Sequence, residues 1–552
     1  MRQQPRMFAA LAAILIAAGG LAVTNTTAQE FAPGFVDPEP ILRAAREAIG
    51  TDNVRCVTIA GTVDYGGMVG QQRHHGYEVD WPRMGPWPNY VRTMNWDAGT
   101  LTEAFDREPG FAPASWRWGL GWLGGTPIQQ ETRQHFDVNG MHGWARDGTD
   151  GEPVAALPED AERWQLDMWI NPHGFLKAAQ KPGANPHATW RWELGEMGRD
   201  GVTVRPEKMW IVSITVMDKY RVDATINSEN LLQRIHTWVG DPVLGNMNYE
   251  HEFTNASYID VGDGIRFPTG WHHHQGWDDN FQTQSVNAGH NAFNATLADI
   301  TVNGDDCMAP VEVPSPVRDA TFPMTVETDE LAEGVWLMGG GSHNSVAVEF
   351  DDFIAVVEAP VSEARSLAVI EEVVRLVPDK PIRFLVNTHQ HHDSIGGLRT
   401  YMHIGATIVT HWQNHEFYTR DVLNYAPRTL LPDMVSLWPP TELAEGYQYE
   451  VIRENYWLTD KSGSQRMHIS YVHPLRHVEG MLMAYLPDER ILIEADIYNP
   501  PRPGAPGARE PNADHRSLFR QVERFGFDVE TIVPIHGDPV PWSQFESFVG
   551  AR

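Results

Sequence analysis

Cysteine is nearly missing from this chain of 552 residues, which has only Cys56 and Cys307. Neither lies near the histidine-rich motifs described below, and an exported protein could pair them. Positive charge is also scarce: 42 Lys and Arg stand against 73 Asp and Glu, a formal net charge of −31. A surface this acidic repels phosphate backbones and anionic headgroups, so neither nucleic acid nor an acidic membrane surface is an expected partner. Its plain use is solubility. After residue 23 no apolar segment is long enough to span a bilayer, and no repeat with a period of 20–50 residues is evident.

What is present begins with a leader. Arg2 and Arg6 open the chain, residues 7–23 are apolar apart from Gly19 and Gly20, and a polar stretch ends in small residues at Ala28. This three-part pattern reads as a cleaved secretory signal over residues 1–29. The rival is an uncleaved anchor, because the apolar run nearly reaches spanning length. No Cys follows the run, so a lipid-anchored form is not supported. The expected location is periplasmic or secreted, with no stable membrane anchor after cleavage.

The rest is long enough for two or three domains. Residues 33–40 (PGFVDPEP) read as a linker, and residues 41–49 as a short helix ended by Gly50. From about 54 to 302 the chain reads as β-rich and mostly antiparallel. Alternating runs at 57–65, 164–170, 209–217 and 232–238 are separated by Gly, Pro, Asn and Asp clusters. Fifteen of the 20 tryptophans lie between Trp81 and Trp277, suited to half-buried sheet faces or to an aromatic groove. This region also carries His74-His75 and His272-His273-His274. Consecutive residues on a strand point to opposite faces, so three adjacent histidines are not expected to converge on one metal.

Residues 309–323, rich in Pro and Val, read as a linker. Beyond it strands alternate with helices. Strands are expected at 335–338, 345–350 and 353–357. A helix capped by Ser362 follows, with an apolar stripe of Leu367, Ile370, Val374 and Val377, stopped by Pro378. Residues 382–386 form a continuous apolar strand of the kind buried on both faces.

Directly after that strand comes Asn387-Thr388-His389-Gln390-His391-His392-Asp393-Ser394-Ile395-Gly396-Gly397. Two imidazoles two residues apart on an extended loop can reach one divalent cation. A carboxylate two residues on can reach a second cation or a bound water. Such a set suits zinc, manganese or iron. The paired glycines are expected to let the loop turn tightly. Further along, His477 precedes Gly480, Asp496 closes a hairpin, and His536 ends a short apolar strand before Gly537. Each candidate ligand falls at a strand end, where a sheet can hold it rigidly.

This ordered set resembles the metallo-β-lactamase superfamily, whose pattern is His-x-His-x-Asp-His, a distal His, an Asp closing a hairpin, and Pro-x-His-Gly. The resemblance runs from about residue 325 to the C-terminus and implies an αββα sandwich, giving an α/β chain with a β-rich domain in front. The expected domains are residues 30–308 and 324–552. The resemblance implies that His389, His391 and His477 bind a first metal, and that Asp393 and His536 bind a second with Asp496 bridging. Zinc is the expected metal, one or two ions, with manganese or iron as alternatives. The departure is Ser394, where most hydrolases of the superfamily have a sixth ligand, His. Some true β-lactamases also have Ser there, but with a Cys at the position of Asp496. His392 is a weaker substitute ligand, His473 lies near His477 without its following Gly, and His343 is a candidate for contacting substrate or supporting a ligand.

The implied activity is metal-dependent hydrolysis of a small molecule. A bound cation lowers the pKa of its water from about 16 to about 7, and the resulting hydroxide attacks an amide, lactone or ester. Asp393 orients it and relays a proton. A phosphodiester fits poorly with the acidic chain and the missing sixth ligand. The alternatives are a mononuclear iron sulfur dioxygenase and a non-catalytic binding protein with a decayed site. The aromatic domain is expected to shape the entrance, recognise an apolar group or mediate a homodimer.

Overall fold

The structure is a computed structural model, which describes residues 34–67, 70, 83–84, 87–107, 132–148, 150–197, 204–253, 257–276, 290–439, 446–500 and 510–550. The expected leader at 1–29 and the pair His74-His75 lie outside the described residues. The described residues from Asp37 onward belong to one compact unit.

The first described helix is Pro38–Ile49. Asp37 caps it by accepting from the Glu39 amide, and Gly50 ends it at φ 68°. Residues 38–40, expected to be linker, belong to this helix, because an Asp N-cap followed by Pro at the first helical position starts it there. A fourteen-stranded sheet follows, antiparallel in every pairing. Its first strand, Cys56–Gly67, lies between Trp87–Asn95 and His290–Val302. From His290–Val302 the sheet runs on through Gly270–Gly276, Gly245–Glu252 and Leu232–Asp241. Cys56 and Cys307 are joined by a disulfide that ties the start of this sheet to the segment leaving it.

Residues 164–170 are not a strand. They belong largely to the helix Pro158–Asp167, which has Pro at its start and Glu159 and Asp160 in its first turn. Those start signals outweigh the local alternation. Trp96, Trp144, Trp169 and Trp271 are core residues, whereas Trp190 and Trp192 on the edge strand His187–Met197 are exposed.

The C-terminal part is two facing sheets between helices, as expected. The seven-stranded sheet includes Val335–Gly339, Ser345–Glu349, Ile354–Val357, Ile382–Val386 and Thr407–His411; the six-stranded sheet includes Leu482–Leu486, Ile491–Glu494 and Thr531–Pro534. Val346, Val348, Val357 and Val386 of one sheet pack against Ile469, Leu482, Ile493 and Val533 of the other. Glu363–Leu376 covers the outer face of the first sheet, and Ala513–Phe525 and Trp542–Val549 cover the second. Ser362 caps Glu363–Leu376 as expected. Its buried stripe is instead Val369 and Val373 with Arg365 and Ser366, while Leu367 and Val374 are exposed. No helix among the described residues is long and apolar enough to cross a membrane.

Candidate metal centre

The site forms where strands of both sheets end. Ile382–Val386 leads into the loop carrying His389 and His391, and the short helix His392–Ile395 follows at once. Gly396 and Gly397 have ordinary negative φ values of −58° and −104°. They are needed for close approach rather than for a turn. A Cβ on Gly396 would lie 2.1 Å from the Val361 carbonyl oxygen, and one on Gly397 1.8 Å from Ser366 Oγ.

Beneath the loop sits Glu358, fully buried at the end of Ile354–Val357 with φ 72°. Its Oε1 accepts from the Thr388 amide and, at 3.2 Å, from Asn387 Nδ2. Burial pushes this carboxyl up to about 8. Nδ1 of His389 is 3.0 Å from Thr388 Oγ1. With that hydroxyl accepting, the tautomer leaves a lone pair on Nε2. His477 is set from outside: the Asp514 carboxylate accepts from the Arg476 amide at 2.8 Å and the His477 amide at 3.0 Å. Asp496 follows the strand Ile491–Glu494 at φ 59°, a conformation Asp adopts more readily than most residues.

Two groups of donors result. His389, His391, His477 and Asp496 offer ligand atoms all within 4.8 Å of one another, and so do His343, Asp393 and His536. Asp496 faces both. Its Oδ2 is 3.1 Å from Nε2 of both His389 and His477, and its Oδ1 is 2.8 Å from Nε2 of His536. Nε2 of His389 and both ring nitrogens of His391 are buried and make no hydrogen bond. Buried polar atoms left so are costly unless something else satisfies them. Three imidazoles converging with a carboxylate are a donor set for a divalent transition cation. The residues present therefore fit the metal that the superfamily implies.

Burial drives the His391 imidazole down to about 3, the neutral form a ligand requires. Burial opposes charge on His536 as well, but the carboxylates of Asp496, Asp393 and Glu494 outweigh it and raise His536 to about 9. Burial works against ionising Asp393, yet the hydrogen bond from His343 holds its carboxyl below the usual range.

Of the residues singled out in the sequence, His392 and Ser394 stand in neither group. Nδ1 of His392 lies 3.9 Å from Asp241 Oδ1 on the N-terminal sheet, and its amide donates to the Gly70 carbonyl at 3.2 Å. Gly70 has φ 74°, and a Cβ there would lie 2.0 Å from the His392 ring, so two parts of the chain meet beside the site at a position only glycine fits. Ser394 is buried, its carbonyl oxygen 3.3 Å from Asn387 Nδ2. The ring of His473 stacks on Tyr471 and belongs to neither group. Sequence reasoning missed the supports Glu358, Asn344 and Asp514. Asn344 donates from Nδ2 to the carbonyls of Pro534 and Gly537, at 3.1 and 2.7 Å, which seats His343 beside His536.

Residues 338–538 match the model of the metallo-beta-lactamase superfamily, and this part of the chain belongs to that superfamily. Among curated proteins the chain is 22% identical, over 227 residues, to the linear primary-alkylsulfatase of Pseudomonas sp. (strain ATCC 19151). That match covers 35% of this chain and 41% of the relative, so it spans about two fifths of that protein's length. Similar solved structures include the metallo-beta-lactamase from Pontibacter korlensis, 14% identical, covering 41% of this chain and 98% of that one at a TM-score of 0.31. Another is that from Hirschia baltica, 16% identical, covering 41% and 97% at a TM-score of 0.31.

Proposed function

We propose that this chain is an exported, metal-dependent hydrolase cleaving an amide, lactone or ester bond of a small molecule. The observation that carries the reading is the pair of donor groups sharing Asp496. His389, His391 and His477 would hold a first cation, and His343, Asp393 and His536 a second, with Asp496 between them. A divalent cation there supplies Lewis acidity and a nucleophilic water at neutral pH. The chain's own part is positional. Asp393, kept ionised beside His343, accepts a proton from the attacking water at Oδ2 and delivers it to the leaving group. Glu358, Asp514 and Asn344 hold the histidine-bearing segments so that little reorganisation is needed. Retention of both groups speaks against a decayed site serving only binding.

Zinc is the metal proposed. Export is supported by the leader-like residues 1–29 and by the Cys56–Cys307 disulfide, a bond rare in reducing compartments. A second reading, hydrolysis of a sulfate ester, is favoured by the match to an alkylsulfatase. One experiment addresses both: metal content per chain, then turnover on lactone, carboxylic ester, β-lactam and alkyl sulfate panels before and after EDTA, with zinc returned. Chelator-sensitive turnover of the first three supports the main reading, and sulfate release alone replaces it with the second. Activity untouched by complete metal removal refutes both.

A further inference from the structure

The N-terminal sheet carries another set of donors. Gly245–Glu252 pairs antiparallel with Gly270–Gly276, placing Glu252 opposite His272 and Glu250 opposite His274. Residues two apart share one face of a strand. His272 and His274 therefore stand together with both glutamates, while His273 turns to the other face and stacks on His251 at 3.6 Å. The first two rings are 4.6 Å apart, centroid to centroid. Three adjacent histidines are not expected to converge on one metal; the middle one does stand apart, whereas the outer two stand together. One nitrogen from each of His272 and His274 and one oxygen of Glu252 lie within 4.8 Å of one another.

The spacing is informative. Nε2 of His274 is 3.6 Å from Oε2 of Glu252. A charge-assisted hydrogen bond would be about 2.7–2.9 Å. Two ligands each about 2.1 Å from one tetrahedral cation stand about 3.4 Å apart. An independent observation points the same way. Glu250, on the same face and only 3% exposed, has Oε1 buried with no hydrogen-bond partner. Burying such an oxygen unpaired is costly, and a cation on that face offsets the cost. The side chains of His274 and Glu252 keep 11% and 23% exposure, so an ion can enter from solvent.

We propose that Glu252, His272 and His274 bind a divalent transition-metal cation on the N-terminal sheet, apart from the hydrolytic centre, with Glu250 beside it. Imidazole and carboxylate donors select zinc, manganese or iron over magnesium and calcium. Such an ion fastens the strand Gly245–Glu252 to Gly270–Gly276.

The test uses the full chain with zinc as the probe. Zinc per chain is measured after equilibration and removal of free metal, for the wild type, Glu252→Gln and His274→Gln. Each variant is expected to hold one zinc fewer while hydrolytic turnover stays unchanged, and to lose part of the rise in melting temperature that zinc gives the wild type. Equal zinc content in wild type and variants overturns the proposal. A measurement without variants covers the case of misfolding: anomalous diffraction from wild-type crystals grown with zinc. A peak between the His272 and His274 rings supports the site, and a peak at the hydrolytic centre alone refutes it.

Discussion

Nε2 of His343 lies 3.4 Å from Oδ2 of Asp393, and the His343 ring is 3.9 Å from the His536 ring, centroid to centroid. The imidazole that residue 394 does not supply is thus present in space, contributed by the loop after Val335–Gly339. If His343 is a ligand, His343→Ala lowers the metal content by one ion. If it only supports Asp393, content is kept and affinity or turnover falls by about 10–100-fold, as for other residues that orient ligands. Elemental analysis with steady-state kinetics separates these outcomes. A His343→Ala protein with full metal and full turnover would remove His343 from the site.

Glu358 holds the loop of His389 and His391 from below through Thr388 and Asn387. Removing a buried partner strands the groups it satisfied, at about 1–3 kcal/mol each. Glu358→Ala is expected to lower unfolding free energy by about that amount and to weaken metal binding by about 10–100-fold. Glu358→Gln keeps an acceptor and loses less. Urea denaturation and a competitive zinc titration check both, and an alanine variant with unchanged zinc affinity would mean that the loop orders itself.

The parts legible in the sequence were those that local pattern fixes. Ile382–Val386 is a short run before a histidine motif and is a strand as expected, but it is not buried along its whole length: Arg383 interrupts the apolar run and is exposed, and Phe384 is half-buried. The buried stripe of the preceding helix, Glu363–Leu376, is not legible in apolar residue type, which does not register Arg365. That side chain is buried and donates to the carbonyls of Thr325, Met338 and Gly339. Glu358, Asn344 and Asp514 act on segments between 29 and 193 residues away, so nothing beside them in the chain announces the role. The grouping of Glu252 with His272 and His274 needs strand register, which alternation alone does not give.

The disulfide closes a sequence separation of 251 residues. Cross-linking a loop this long restricts the unfolded chain, and removing such a bond typically costs about 2–5 kcal/mol. With an unfolding entropy of about 2.1 cal/mol/K per residue, a unit this large loses only about 1 °C per kcal/mol. Reduction, or a Cys56→Ala/Cys307→Ala double variant, is therefore expected to lower the melting temperature by about 2–5 °C. Differential scanning calorimetry with and without reductant reads the shift. No shift would show that the bond does not restrict the unfolded chain enough to matter for stability.

His173 gives the N-terminal part a defined acid sensitivity. It is fully buried, with Nδ1 3.0 Å from Thr51 Oγ1 and Nε2 3.0 Å from the Arg266 carbonyl oxygen. Nε2–H donates to that carbonyl, so Nδ1 accepts from the threonine and the ring is neutral. Burial pushes its pKa down to about 4 from the usual 6.5. Between those values the unfolded chain holds the extra proton, so stability falls as pH drops from 6.5 towards 4 and this residue adds no slope above 6.5. At about 1.4 kcal/mol per pKa unit the loss reaches roughly 3 kcal/mol. His251, His411 and His515 are also pushed down by burial, to about 3, 4 and 4, so the wild type keeps some acid sensitivity without His173. His173→Gln should therefore be less stable than the wild type at pH 7 but show a shallower fall in unfolding free energy between pH 6.5 and 4. Parallel curves for the two proteins would show that His173 is already charged, or already exposed, in the folded chain.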